Sequence, residues 1–338
     1  TARVTQIGII GTGAWASTLG ILLARDEKKT VLWSRTEARA QELTSARVNE
    51  RSVPGVEFPE LMTVSASLEE SLGASDLVII AVPSVTIREN IRKVRSAIPS
   101  GSNVVCATKG IEIASGKRMS QVIAEELPGF DRSQIGVLSG PNLAREIAAG
   151  NPATATIAFT EDAIAEQVQS ILSSESFRVY RSEDVIGVEL GGALKNIIAI
   201  GAAFIDGAGL GPNAKAAFVT RGLHEITRLG IAMGARPETF AGQSGMGDLI
   251  ATCYSNLSRN YRLGIGLASG KDLPAILEDL SETAEGAPTT QAAVRLAKEL
   301  KIDMPITDAT HAVLFEGTSP VEVIRNLMGR SLQPEARY

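Results

Sequence analysis

The sequence predicts an α/β fold in two parts: an N-terminal, mostly parallel sheet with crossover helices, followed by an all-α C-terminal domain. Three observations carry this. The chain has 338 residues, more than one hydrophobic core usually holds. Short β-branched runs alternate with amphipathic segments as far as Arg181, the pattern of a parallel sheet wound with helices. After Ser182 the strand-like runs stop, and helical periodicity rich in Ala, Leu, Ile and Gly continues to Leu327. The domains are therefore drawn at 1–181 and 182–338, by the change of pattern alone, because no repeat or low-complexity linker marks the joint.

Taken in order, the strand candidates are Val4–Ile10, Thr30–Trp33, Asp76–Val82, Asn103–Ala107, Ile135–Leu138, Ala153–Phe159 and Phe177–Tyr180. Turn or capping chemistry follows them, as at Pro83-Ser84, Lys109-Gly110 and Ser139-Gly140-Pro141-Asn142. The C-terminal domain is expected to open with a helix over Glu183–Ile205, with Ser182 as its N-cap and Asp206-Gly207 as its stop.

Composition narrows the function. Hydrophobic residues are 44% and charged residues 21%, ordinary globular usage. A formal net charge of -5 gives no electrostatic reason to expect nucleic acid or an anionic membrane surface as partner, so an anionic small substrate needs a local basic pocket. The two cysteines, Cys106 and Cys253, form no C-x-x-C motif and read as reduced thiols of a cytoplasmic protein. No apolar run reaches the length of a membrane span without Gly or charge, and the N-terminus lacks the order of a signal peptide. With His224 and His311 as the only histidines, a metal centre of grouped His and Cys is not expected. Ser139-Gly140-Pro141 lacks the G-x-S-x-G frame of a hydrolase nucleophile.

The first strand candidate runs into Gly11-Thr12-Gly13-Ala14-Trp15-Ala16, a G-x-G-x-x-A turn opening a helix over Ser17–Arg25. Gly11 permits the tight turn, Gly13 lets backbone approach a pyrophosphate, and small Ala16 lets helix and strand pack closely. At the first strand-to-helix turn of a βαβ unit this predicts a Rossmann-type dinucleotide site; the alternative is a glycine turn with no ligand. An NAD-specific site usually carries Asp or Glu at the end of the second strand. Here that strand ends Trp33-Ser34-Arg35, and Arg35 suits the 2'-phosphate of NADP, so NADPH is favoured with NADH also accepted. Arg35 reads equally well as a solvated surface charge.

The segment Val188–Ile200 is apolar around almost its whole circumference except for Glu189, Lys195 and Asn196. A buried ammonium must be paired or lose pKa, and a lysine of lowered pKa is what proton transfer near neutral pH needs. Gly191 and Gly192, one turn earlier, allow a ligand or another backbone close by. The alternative is a structural ion pair or a snorkelling side chain. Lys109 stands at the carboxyl end of a strand, where open α/β sheets bind ligands, although a loop lysine in solvent fits as well. Gly245-Met246-Gly247-Asp248 supplies a carboxylate, and Ser258-Arg259-Asn260 suits a phosphate or equally a helix cap.

These motifs, together with Ala107-Thr108-Lys109-Gly110, Leu138-Ser139-Gly140-Pro141, Gly187–Asn196, Asp206-Gly207, Asn213-Ala214-Lys215, Thr220-Arg221-Gly222 and Gly247-Asp248-Leu249, resemble the bacterial NAD(P)-dependent glycerol-3-phosphate dehydrogenases in order and over nearly the whole chain. The resemblance implies reversible conversion of dihydroxyacetone phosphate to sn-glycerol 3-phosphate, feeding phospholipid synthesis, in a cytoplasmic homodimer. By position it implies Lys195 as acid/base on the C2 oxygen, Lys109 binding and assisting substrate, and Asn196 and Asp248 orienting the site. Ser258, Arg259 and Asn260 would hold the phosphate, with Gly140 and Asn142 lining the pocket. Ala14, Trp15, Arg35, Lys109, Ala144, Arg259, Thr283 and Glu285 would lie along the cofactor, beside Gly11, Gly13 and Ala16. The family commonly has Gly at Ala16, Ser or Thr at Asn142 and Leu at Met246. Rival expectations are a lysine-dependent dehydrogenase of β-hydroxyacids or ketopantoate, and a non-catalytic NAD(P)-binding sensor, against which the buried-looking Lys195 argues.

Overall fold

A computed structural model describes residues 6–280, 284–332 and 334–335. The chain forms two compact units. One takes the residues up to Thr108 and then Met119–Val185; the other takes Lys109–Arg118 and everything from Ile186.

Among the described residues the first unit holds ten strands: β1 (Ile7–Ile10), β2 (Thr30–Trp33), β3 (Val48–Asn49), β4 (Val53–Glu57), β5 (Met62–Ser65), β6 (Leu77–Ile80), β7 (Asn103–Cys106), β8 (Ile135–Ser139), β9 (Ala153–Ala158) and β10 (Phe177–Ser182). Eight of them make one sheet in the order β10-β9-β8-β7-β6-β1-β2-β5. Pairing is parallel except between β8 and β9. Every residue of β1, β2 and β6 is buried, as expected of central strands covered on both faces. Ile10 lies opposite both Trp33 and Ile80, so these strands end level. From β1 the sheet grows one way through β2 and the other through β6. Such a reversal of strand order marks the place, at the carboxyl ends of the strands, where sheets of this kind take ligands.

The expected central strands form, and two features were not foreseen. Met62–Ser65 is an edge strand parallel to β2, and β3 and β4 form a separate antiparallel pair despite Pro54 and Gly55 within β4. The antiparallel β8–β9 step is the one departure from parallel pairing in the main sheet.

The second unit is helical through to Met328. Its axis is the Val185–Gly207 helix, in which every residue from Gly187 to Ile205 is buried. Ser182 closes β10 and its hydroxyl accepts a hydrogen bond from the Asp184 amide, so the helix starts after the expected Glu183, and it ends at Gly207, within the expected Asp206-Gly207 stop. By length and composition this helix alone, among the described residues, suits a membrane span, yet its apolar window is wholly buried inside the protein. The Gly211–Ala232, Gly286–Leu300 and Pro305–Phe315 helices supply further members of the same core, including Val219, Ile226, Ala293 and Ile306.

Candidate active site

The helical unit gathers two ammonium groups around one carboxylate. The Lys195 ammonium, 6% exposed on the axial helix, lies 2.9 Å from Asp248 Oδ1 and donates to Thr252 Oγ1 at 2.6 Å. Lys109 Nζ meets the other oxygen, Asp248 Oδ2, at 2.5 Å. Asp248 is itself 2% exposed. The Thr252 hydroxyl has acceptors in both the Asp248 carbonyl at 2.6 Å and Oδ1 at 3.1 Å. Asp248 and Thr252 stand one turn apart on the short Asp248–Cys253 helix, so both side chains face the lysine.

Local backbone explains why the carboxylate stands there. The residues Gln243–Gly247 form a π-helical turn in which the Gly247 amide bonds the Gly242 carbonyl at 3.1 Å, and Asp248 follows directly. Gly191 lets that turn close on the axial helix: a Cβ there would lie 2.9 Å from the Ser244 carbonyl oxygen. The close neighbour expected beside Gly191 is thus protein backbone.

Burial lowers the Lys195 amine to about 8; the Asp248 carboxylate resists the fall and the Lys109 cation adds to it. Next to Thr252, the Cys253 thiol is pushed up to about 12, chiefly by burial, which leaves it a poor nucleophile.

A second group adjoins the first along the chain. Ser258 caps the Arg259–Ala268 helix, accepting from the Tyr261 amide at 3.1 Å, and Asn260 Oδ1 accepts from the Gly286 amide at 2.8 Å. A Cβ on Gly286 would also lie 2.9 Å from the Asn196 carbonyl oxygen, so Asn196, Asn260 and Glu285, which precedes Gly286, converge. Arg259 is half-buried beside them in sequence. Lys215 pairs with Asp206 at 2.5 Å, and the Tyr261 hydroxyl donates to the same carboxylate oxygen. The lysine also lies 4.1 Å from the Tyr254 ring centroid, which ties both ends of the 254–261 stretch to one point.

The sheet unit carries the glycine turn. Gly11 has φ +123, and a Cβ on it would sit 2.5 Å from the Ala81 carbonyl oxygen, so only glycine fits. Gly13 faces open space, with nothing within 4 Å of a Cβ. Ala14–Ala16 form the first turn of the Ala14–Arg25 helix, and Trp15 packs edge-on to Phe177 with centroids 6.4 Å apart. Asn49 braces the turn, donating to the Thr12 carbonyl at 3.0 Å and Ser17 Oγ at 2.9 Å. Thr18 Oγ1 bonds the Ala144 carbonyl at 3.0 Å, which brings Ala144 to the same helix. Arg35 is exposed just past β2 and helps hold the Glu89 carboxyl low, behind the larger effect of Lys93. Gly140 has φ +156; Asn142 donates to the Thr154 carbonyl at 3.0 Å while its buried Oδ1 has no hydrogen-bond partner. Thr283 lies outside the described residues.

Comparison with known proteins fits this layout. The family model for the N-terminus of NAD-dependent glycerol-3-phosphate dehydrogenase matches residues 6–165, and that for its C-terminus matches 184–325. The chain belongs to this family. It is similar to glycerol-3-phosphate dehydrogenase (NAD(P)+) of Dehalococcoides mccartyi, 44% identical over 96% of this chain and 91% of the relative. It is similar also to that of Shouchella clausii, 44% identical over 96% of each. The crystal structure of glycerol-3-phosphate dehydrogenase from Coxiella burnetii superposes with a TM-score of 0.92 at 35% identity, covering 96% of this chain and 99% of the other. A ketopantoate reductase from Ralstonia eutropha, at 16% identity and TM-score 0.57 over 91% of this chain and 97% of its own, shares the fold alone.

Within the family's frame, the sequence points to both lysines and Asp248, and it places Asp206 and Lys215 in family motifs, but it gives neither Thr252 nor the pairing of Lys215 and Tyr261 with Asp206. A threonine four residues after Asp248 is the only local signal for the former, and threonines at that spacing are common on any helix.

Proposed function

We propose that the chain is an NAD(P)-dependent oxidoreductase that interconverts dihydroxyacetone phosphate and sn-glycerol 3-phosphate, supplying glycerophospholipid synthesis. The observation that carries the reading is the Lys195 ammonium held between Asp248 and Thr252 with its pKa near 8, which can both give and take a proton near neutral pH.

In this reading residues 1–181 bind the dinucleotide and 182–338 bind substrate and perform the chemistry. The turn fits a pyrophosphate: Gly11 adopts a conformation closed to other residues, Gly13 leaves its outer side open, and the helix from Ala14 presents amides with no capping side chain. Ala14, Trp15, Ala16, Ala144, Arg259, Thr283 and Glu285 would complete the cofactor site with Lys109. A bound reduced nicotinamide supplies a hydride to C2. Lys195 then protonates the C2 oxygen, and in the reverse direction its neutral amine removes that proton. Lys109 stabilises negative charge on the same oxygen and keeps the Lys195 pKa down. Asp248 fixes both amines, Thr252 fixes the Lys195 rotamer, and Asn196 orients the substrate. Ser258, Arg259 and Asn260 hold the phosphate. Ser258 and Asn260 would contribute chiefly through backbone they set in place, because their side-chain oxygens already cap helices. Gly140 and Asn142, whose buried Oδ1 has no hydrogen-bond partner, would line the pocket.

Arg35, exposed at the end of β2 without a carboxylate in its place, supports a preference for NADPH over NADH. We extend the reading to a cytoplasmic homodimer, consistent with two buried cysteines that form no disulfide and with the resemblance to bacterial enzymes.

The test is NAD(P)H oxidation against a panel of carbonyl compounds. Dihydroxyacetone phosphate should be reduced with far higher kcat/KM than ketopantoate or β-keto acids; preference for a carboxylate-bearing substrate, or no turnover of any, would overturn the assignment. Arg35→Ala should lower the NADPH to NADH ratio of kcat/KM, and an unchanged ratio removes Arg35 from cofactor choice.

A further inference from the structure

The segment Lys109–Arg118 lies in sequence between β7 and the Met119–Glu126 helix of the sheet unit, yet it belongs to the helical unit. It is a self-bonded strap. Ile111 and Arg118 pair as an antiparallel bridge, the Glu112 amide bonds the Lys117 carbonyl at 2.9 Å, and the Gly116 amide bonds the Glu112 carbonyl at 2.8 Å. Ile111, 1% exposed, joins the core that contains Leu190 and Leu194 of the axial helix. At the tip, Arg295 Nη1 donates to the Ala114 carbonyl at 3.3 Å, and Gly116 turns with φ +71 against Arg295 and Leu296.

Its two ends are ion pairs. Lys109, the first residue, meets Asp248; Arg118, the last, meets Glu189 Oε2 at 2.5 Å. Glu189 is buried on the axial helix, less than two turns before Lys195. The helix that carries the proton-transfer amine therefore also carries the anchor for the far end of the strap. A buried carboxylate facing a guanidinium is costly to create and strongly unfavourable to break on one side, so the contact specifies position more than it adds stability.

We propose that Arg118 and Glu189 are positioning residues that hold Lys109 against Asp248 through the strap, and thereby set the electrostatic environment of Lys195. This rests on the functional reading above and adds to it a part of the site that touches neither substrate nor cofactor. The charged and titratable groups bearing on Lys195 are Asp248 and Cys253 from the Asp248–Cys253 helix and Lys109 from the strap. If Lys109 moves away, the Lys195 amine loses a repelling cation, and Asp248 is left to interact with Lys195 alone. Both changes raise the Lys195 pKa.

The experiment follows Lys195 directly by competitive acetylation across pH with mass-spectrometric readout, beside pH profiles of dihydroxyacetone phosphate reduction. In Arg118→Met the Lys195 midpoint should rise by about half a pH unit or more. kcat/KM should fall about 10- to 100-fold through displaced geometry. Glu189→Gln, a smaller change in case Arg118→Met folds poorly, should move the midpoint the same way, and Arg118→Lys should restore it. A purely structural contact would lower thermal stability and leave the midpoint in place; a folded Arg118→Met or Glu189→Gln protein with an unmoved midpoint overturns the proposal. The acetylation readout does not require turnover, so a wild-type protein inactive on dihydroxyacetone phosphate would refute the functional reading while the positioning claim is still decided by the midpoint.

Discussion

The glycine turn of the sheet unit and the lysine pair of the helical unit meet charged groups by opposite means. At Gly11–Ala16 no charged side chain occurs: the turn offers backbone amides and empty space, made possible by a φ of +123 at Gly11 and an open flank at Gly13. Around Lys195, two ammonium groups share one carboxylate, and both Lys195 and Asp248 are almost fully withdrawn from water. The first arrangement puts little strain on the fold beyond one glycine conformation. The second carries an electrostatic cost, since net positive charge is held where desolvation already disfavours it. A pyrophosphate needs only a surface complementary to it, whereas a proton donor must be kept chemically unsettled.

The largest test of that contrast is Lys195→Met. Removing the proposed acid/base group should lower kcat about 1,000-fold or more. Thermal stability should hold or rise, because Asp248 keeps Lys109 as its partner while a buried charge becomes a thioether of similar length. A fall in stability comparable to loss of a core contact would mean that the ammonium is structural, and the contrast would fail at its centre.

In the sheet unit the two glycines should separate function from folding. Gly13→Val has room, so the protein should keep its melting temperature while the Kd for NADPH, followed by nucleotide fluorescence, rises about 10- to 100-fold as the side chain fills the space proposed for phosphate. Gly11→Ala forces a Cβ toward the Ala81 carbonyl at an unfavourable φ, so it should cost about 1 to 3 kcal/mol of stability. Equal destabilisation by both would show that the turn is held by more than backbone geometry.

The pH dependence sharpens the helical side. With Lys195 as the proposed proton donor, ketone reduction needs it charged, so log kcat/KM for dihydroxyacetone phosphate should be level below about 8 and fall with pH above it. Alcohol oxidation needs the neutral amine and should rise with pH to the same midpoint. Profiles with parallel rather than opposed limbs would take the proton from another group.

Much of this is legible in the sequence. The central strands are β-branched runs buried on both faces, and Lys195 stands out because a charge interrupts an otherwise apolar helix. The rest depends on contacts that no local pattern encodes. Met62–Ser65 alternates buried and less buried residues over too short a run to separate from a loop, and Pro54 and Gly55 argue against the strand in which they lie. The return of 109–118 to the helical unit rests on two ion pairs, one buried isoleucine and the Arg295 contact at the tip, each distant in sequence from its partners. Thr252 carries no signature beyond its spacing from Asp248.

One buried ionisable group of the helical unit lies outside the site, and it separates the cost of burial from its use. Glu225, on the Gly211–Ala232 helix, accepts from the amides of Ile306 at 2.5 Å and Thr307 at 3.1 Å and from the Thr307 hydroxyl at 3.2 Å, capping the Pro305–Phe315 helix from outside. Burial raises its carboxyl to about 7; the Ile306 and Thr307 amides, then Arg228 and the Thr307 hydroxyl, oppose that rise only in part. The folded-state pKa lies above the unfolded value, so the native protein binds the extra proton between them. The stability this confers is complete below about pH 4.5 and is lost as pH rises through about 7. Glu225→Gln keeps the shape and an acceptor but cannot ionise. Turnover should be unaffected, and unfolding free energy relative to wild type should climb by on the order of 1 to 3 kcal/mol between pH 5 and pH 8. A difference that stays flat with pH in denaturant titrations would mean that the three donors suffice to hold Glu225 ionised throughout, and that burial in this unit is less severe than the lowered amine of Lys195 requires.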